Sequence, residues 1–312
     1  MKKLFICLSV AAALASCSNS DNNSVINPDA DNLIRLTAGV PSASVTSGTK
    51  APITTNATFE AGVAGWESAE APSYSTAAKW TASASVKASS ASQTITLNPQ
   101  QVYDDETGKT TYIKAYYPAG TLNAGMVNFE NLTGEIDAML APVVSGSKDA
   151  KITAPLAFAH RTTQLVFKVA GESGFTAGTK LEYIKVKNAE LPTGFDLTTD
   201  AVTFGTPADL EVPGIKLPLI PVNENQMATP IKVGNAVMIK PISGNKVLLD
   251  IKTAESVDAK VYENVEATID NDNDFAEGRA YTITLTFRKV GGVNLNATMA
   301  EWTTGTGAGN VD

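Results

Sequence analysis

No long segment of this chain repeats its apolar residues every 3.6 positions, so an architecture of amphipathic helices is closed to it. What recurs is period two, the spacing of a strand with one buried face. In residues 162–169 (TTQLVFKV), Leu165, Phe167 and Val169 alternate with Val166 and Lys168. In residues 281–287 (YTITLTF), Tyr281, Ile283, Leu285 and Phe287 share one face and three threonines the other. Residues 293–302 (VNLNATMAEW) repeat the pattern with Val293, Leu295, Ala297 and Met299. The last two are joined by residues 288–292, where the Gly291-Gly292 pair suits a tight turn.

Weaker strands are expected at 92–98, 111–118, 183–188, 236–242 and 246–253, separated by turn-forming stretches such as NPQQ, DETGK, ISGNK and DNDND. Many short strands so punctuated indicate an all-β chain of the antiparallel sandwich class. One short helical turn is expected around GEIDAMLA, residues 134–141. With 312 residues, 43% of them hydrophobic, there is material for two cores. The Gly/Ser-bearing stretch before residues 156–169 sets the division near Pro155, giving domains at 32–155 and 156–312.

The stretch RLTAGVPSASVTSGTKAPI, residues 35–53, changes character midway. Ile34, Leu36, Ala38 and Val40 alternate with Arg35, Thr37 and Gly39, the pattern of a core-facing strand. From Pro41 the residues become small and flexible up to one basic residue, Lys50, which a trypsin-like protease would recognise. Upstream, residues 1–16 combine Lys2 and Lys3, an apolar run and small residues at Ala15 and Ser16, the marks of a secretory signal peptide. Leu14-Ala15-Ser16-Cys17 resembles the lipobox of bacterial lipoproteins, in which the cysteine is acylated and becomes the new N-terminus. Residues 17–31, polar and without hydrophobic period, read as a flexible leash from a membrane. Of the two cysteines Cys7 falls in the removed part, which leaves no disulfide and no cysteine-based metal site.

Other chemistry is sparse. The net charge of −8 with scattered lysines argues against nucleic acid as a partner and against adsorption to anionic lipid. His160 is the only histidine and lacks a G-x-S-x-G elbow, so a packed, hydrogen-bonded role between domains is expected, and zinc sites built on paired histidines are excluded. Residues 104–111 (DDETGKTT) end like a phosphate loop, but Tyr103 stands where its first glycine belongs and a strand follows. Asp270, Asp272 and Asp274 open like a calcium loop, yet position six is Phe275 and position twelve Tyr281. No cofactor or metal is expected. An enzyme is not expected either. A sugar-binding platform would have to draw on Trp66, Trp80 and Trp302 in a chain that is 7% aromatic.

Three segments carry a further likeness: TTYIKAYYPAG (110–120), LAFAHRTTQLVFKVAG (156–171) and GRAYTITLTFRKVGGVNLNATMAEW (278–302). Their order and spacing, together with the lipobox, resemble the fimbrillin-like proteins of the Bacteroides group, subunits of type V pili. The resemblance implies two tandem transthyretin-like antiparallel β-sandwich domains. It implies a precursor anchored through Cys17 to the outer membrane and exposed at the surface, later incorporated in a fimbrium. It implies a trypsin-like maturation protease that removes the N-terminal strand, with Lys50 as the cut and Arg35 as its rival. Partners would be other pilin subunits, whose donated strand fills the groove vacated by Ile34, Leu36, Ala38 and Val40, and a receptor on a host or bacterial surface. The family pattern has arginine at the cut, so Lys50 departs from it. The tail TTGTGAGNVD offers only Val311 to a groove, so the donor would be the strand from Val293 to Met299, or the chain accepts a strand and gives none. Stalk, tip and accessory roles stay open at this point. The alternative is a glycan-binding outer-membrane lipoprotein.

Overall fold

The computed structural model describes residues 32–41, 56–255, 257, 259–269, 274–289 and 293–301. The described residues contain no helix and form twenty-one strands in five sheets. A three-stranded sheet runs β10 (Leu156–Ala157), β1 (Leu36–Gly39), β4 (Gln93–Ile95). A six-stranded sheet faces it, in the order β11 (Ala159–His160), β9 (Met139–Gly146), β6 (Thr110–Tyr117), β2 (Thr58–Ser68), β3 (Trp80–Lys87), β5 (Leu97–Asn98). Between these two sheets lies a core built on Ile34, Leu36, Phe59, Val63, Ile113 and Phe158.

A second sandwich is made of β17 (Ile231–Ile239), β12 (Thr163–Gly171), β20 (Arg279–Phe287) and β21 (Val293–Glu301) on one side. Its other side is β16 (Ala208–Glu211), β13 (Lys180–Ala189), β18 (Lys246–Ala254) and β19 (Val261–Thr268). The expected alternation appears here: Tyr281, Ile283, Leu285 and Phe287 are fully buried, while the threonines between them are half-exposed. In β18, Val247, Leu249, Ile251 and Thr253 point inward in the same rhythm. Most pairings are antiparallel, but β12 runs parallel to β20 and β1 parallel to β10.

The fifth sheet joins the two halves. Its order is β15 (Ala201–Phe204), β14 (Pro192–Asp196), β8 (Met126–Asn128), β7 (Thr121–Asn123), so strands from either half pair edge to edge. It covers the outer face of the six-stranded sheet through Trp66, Tyr116, Val127, Leu140, Phe195 and Leu197. That cover explains β2, which has no hydrophobic alternation because both its faces are buried. Aromatic rings occupy the space that side chains at its glycines would need: a Cβ on Gly62 would lie 2.3 Å from Tyr116 and one on Gly65 2.1 Å from Trp80.

The helical turn expected around residues 134–141 does not form. Gly134 sits in the left-handed region at φ 73, and its N–H donates to the Asn131 side chain. Its carbonyl accepts from Met238 and that of Ala138 from Arg161, so the backbone bonds outward to other elements rather than within a turn. From Met139 the chain is β9.

Candidate functional site, the slot of the first strand

The residues before Pro41 do not lie on an edge. β1 is the middle strand of its sheet, antiparallel to β4 (Leu36 opposite Ile95, Ala38 opposite Gln93) and parallel to β10 (Ala38 opposite Leu156). Hydrogen bonds extend this pairing beyond the regular strand. Ile34 N donates to Gln101 O at 3.0 Å, Tyr103 N to Asn32 O at 2.9 Å, Val40 N to Ser89 O at 2.9 Å and Phe158 N to Gly39 O at 2.9 Å. Ile34, Leu36, Ala38 and Val40 are 2% exposed or less, whereas Arg35 is exposed. Burying Ile34, Leu36 and Val40 contributes about 1.5–3 kcal/mol each. Taking the strand away would therefore open an apolar slot flanked by two unpaired edges, those of β4 and β10.

The structure brings together Ile34, Leu36, Ala38 and Val40, with Arg35 on the opposite, solvent side of the same segment. Cys17 and Lys50 lie outside the described residues. Of the partner strands of the slot, β4 falls within the strand expected at 92–98, whereas β10, two residues long, is too short for a period to show.

Other sequence candidates have structural roles. His160 is buried with its Nδ1 2.8 Å from Asp137 Oδ2. Next to it Arg161 reaches Glu277 at 2.8 Å and donates to Asp200 O at 3.0 Å. Lys114, almost fully buried, places its Nζ 2.5 Å from Asp200 Oδ1 and 4.2 Å from the centre of the Tyr74 ring. This polar network ties the two halves beside the shared sheet. Residues 106–109 form a turn closed by Lys109 N donating to Glu106 O, with Gly108 at φ 85, before β6 begins. Asp274 accepts from Gly244 N, and Phe275 is a fully buried core residue against Tyr281. Trp66 is buried under the shared sheet, while Trp80 pairs in register with Gly65 and so belongs to the opposite face of β2's sheet. These two indoles make no common platform, and Trp302 lies outside the described residues.

Near the loop that follows the first strand's partner segment, two neighbouring carboxyl groups, Glu67 and Asp104, are shifted in opposite directions. Burial, then a hydrogen bond that the protonated Glu67 donates to the Asp104 carboxylate, raises the pKa of Glu67. The N–H of Glu106, 2.8 Å away, and then Glu67 hold Asp104 below its ordinary value. The two signs are opposite. Asp104 stabilises the fold at higher pH and loses this as pH falls through its depressed value; Glu67 stabilises it when protonated and loses this as pH rises through its raised value. We therefore expect Glu67→Gln to be more stable than the parent above the ordinary glutamate range. The gain should shrink on acidification, read as the difference in urea midpoints against pH. A difference independent of pH would show that Glu67 carries no such proton.

A family model described as fimbrillin-like matches residues 41–302. No curated protein matches the chain by sequence. Among solved structures, a candidate cell adhesion protein of Bacteroides uniformis is similar with a TM-score of 0.55 at 18% identity, covering 87% of this chain and 99% of its own. One from Bacteroides fragilis gives a TM-score of 0.52 at 14% identity, covering 88% of this chain and 99% of its own. One from Parabacteroides distasonis gives 0.51 at 8% identity, covering 87% and 97%. At these identities the likeness is one of fold.

Proposed function

Because the chain belongs to the fimbrillin-like family, we propose that it is a structural and adhesive pilus subunit, assembled when proteolysis frees its first strand and another subunit's strand takes the slot. The observation that carries this reading is the central place of β1, buried on one face and paired on both edges, in a segment whose sequence continues into the Lys50 stretch. While the strand is in place the slot is filled and the precursor is inert. Once it leaves, the edges of β4 and β10 and the apolar floor invite an extended strand.

The edges of the sheets support β21 as the donor. Natural sheets blunt their edges with short strands, charges, prolines or bulges. Here β4, β5, β7, β10, β11, β15 and β16 are four residues long or fewer. β19 carries Glu263 and Glu266, and its register with β18 shifts. β17 carries Lys232, a shift opposite β12, and cover from Pro213 and Gly134. Over its nine residues β21 has no Lys, Arg or Pro, a single charge at its last residue, Glu301, and a register against β20 unbroken from Arg279–Glu301 to Phe287–Val293. It is the outer strand of its sheet among the described residues.

In this reading Cys17 carries the lipid that holds the precursor at the outer membrane, a trypsin-like protease cuts after Lys50, and the mature subunit resides in the fimbrium. Two tandem sandwich domains, divided near Pro155, are part of it, supported by the separate cores; residues 156–160 pair through β10 and β11 with strands of the first. No catalytic step is required. Intact mass spectrometry of the protein taken from its native surface should find Ala51 at the N-terminus. The Lys50→Ala variant should keep residues 32–50 and remain a folded monomer. Unchanged assembly in that variant would remove Lys50 as the cut. An acylated Cys17 with every later residue retained would instead mark a permanent lipoprotein and favour glycan binding.

A further inference from the structure

In the second sandwich, β13 and β18 separate at one end. β13 continues to Ala189 and β18 begins at Lys246, yet their ladder stops at Val186 opposite Leu249. Continued in register, it would set exposed Asn188 opposite buried Val247, a mismatch of faces. The end of β13 turns aside instead. Asn188 sits in the left-handed region at φ 52, and its N–H donates to Asp209 Oδ1 at 3.3 Å. The pairing with β16 shifts between Val186 and Ala189, and Glu190 O accepts from Lys240 N at 2.9 Å. A cleft of about 400 Å³ opens between the two strands, within the roughly 300–1,000 Å³ of ligand pockets. Its lining includes the buried residues Ala189, Ile239 and Val247.

The charges beside the cleft indicate what it lacks. Across the sheet order β16, β13, β18, β19, Asp209 lies 2.6 Å from Lys187, and Lys246 lies 2.7 Å from Glu266. The signs run minus, plus, gap, plus, minus, with a lysine on each bank. Like charges on neighbouring strands destabilise a sheet and opposite charges stabilise it. Lys187 also reaches Asp250 at 3.0 Å, and Asp209, then Asp250, push its pKa up to about 12, so it stays charged. Lys240 at the mouth pairs with Glu190 at 2.8 Å. The lining thus carries three lysines and one carboxylate, in a chain of net charge −8. We infer that this cleft docks an extended acidic segment of a partner protein, seated between β13 and β18 as an added strand. An acidic side chain points outward between Lys187 and Lys246, and its apolar neighbour points inward onto Val247 and Ile239. The acid completes the alternation of signs. The backbone of the seated strand takes up the ladder where β13 and β18 leave it. The site belongs to the second sandwich and does not depend on the departure of β1.

The probe is the peptide acetyl-Gly-Asp-Val-Asp-Gly-amide, titrated calorimetrically into the full-length chain, with its position read by hydrogen exchange. It should bind at millimolar concentration and slow exchange in segments 187–190 and 246–249. Lys246→Gln, at an exposed side chain, should weaken binding about twofold to fivefold, the range of one cross-strand charge pair. A peptide with lysine in place of both aspartates should bind more weakly than either combination. Flanked on both sides, a seated strand uses every N–H, so N-methylation at the valine should weaken binding about twofold to tenfold. Equal binding of the N-methylated peptide would overturn the added strand and leave a carboxylate site that an acidic sugar would fit equally. Equal binding of the lysine peptide, or unchanged affinity in Lys246→Gln, would overturn the acidic occupant. No binding at millimolar peptide, or slowed exchange only outside these two segments, would overturn the site itself.

Discussion

Replacing Leu36 with alanine is expected to destabilise the first sandwich by about 2–5 kcal/mol, the cost of emptying a fully packed leucine site. Leu36 is 2% exposed, at the centre of β1, opposite Ile95 and within the core of Phe59, Ile113 and Phe158. The effect should change kind once the chain is cut at Lys50. In the intact chain β1 is tethered, so a weakened strand still returns to its slot at high effective concentration. In the cut chain it is held only by contacts, and the same loss becomes escape: each ~1.4 kcal/mol is about tenfold in retention, so release should increase by roughly one and a half to three and a half orders of magnitude. Thr37→Ala, on the half-exposed face of the same strand, should change stability by no more than about 0.5 kcal/mol. Urea unfolding of the intact variants and size-exclusion chromatography with mass detection of the cut ones measure the two effects. Equal release from Leu36→Ala and Thr37→Ala would show that side-chain burial does not hold the strand.

Adding one methyl group at Gly194 should loosen the joint between the halves. A Cβ there would stand 2.1 Å from Val127 O and 2.8 Å from Thr203 Oγ1. The nearest atom is backbone in the strand that Gly194 pairs with, so neither partner can yield without opening the β14–β8 ladder. That ladder aligns Phe195, fully buried, with Val127, and the Phe195 ring packs against those of Phe129 and Tyr116. Overpacking of this kind typically costs about 1–3 kcal/mol and sometimes more. Gly205→Ala, whose nearest neighbour would be the Thr193 methyl at 3.5 Å, is the control and should be near neutral. Trp66 belongs to the same cluster as Phe195, so its fluorescence should report an earlier urea transition in Gly194→Ala than circular dichroism reports for the whole chain. Coincident transitions, or equal effects at 194 and 205, would mean that the shared sheet adds nothing to the coupling of the halves.

The sequence made legible those strands with one wet and one dry face. β12, β18 and β20 alternate because threonine or lysine faces water while leucine, isoleucine and phenylalanine face the core. The same reading located the buried set of Ile34, Leu36, Ala38 and Val40. It was blind to β2, where Ala61, Val63, Ala64 and Trp66 are buried on both faces and no alternation survives. It took residues 134–141 for a helical turn because Glu135, Asp137 and the alanines and leucine around them suit a helix locally. Tertiary bonds from Met238 and Arg161 to that backbone prevail over this preference. The shared sheet was beyond reach for another reason. Its pairing of residues 126–128 with 194–196 joins segments far apart in sequence, and nothing local in either announces the other.

The double pairing of the first strand also bears on how a joint at that slot would resist pulling. Ladder hydrogen bonds lie across the strand axis in an antiparallel pair and slant across it in a parallel one. A strand seated between β4 and β10 and drawn along its own length must slide past both neighbours at once. Tension is then shared by many bonds in shear, where a strand peeled from an exposed edge would yield them one after another. Each apolar side chain in its pocket adds a notch against sliding, since the smallest step that restores the pleat, two residues, sets large groups on the small site of Ala38. A fibre linked through such slots would hold under flow by geometry, with no covalent bond between its subunits.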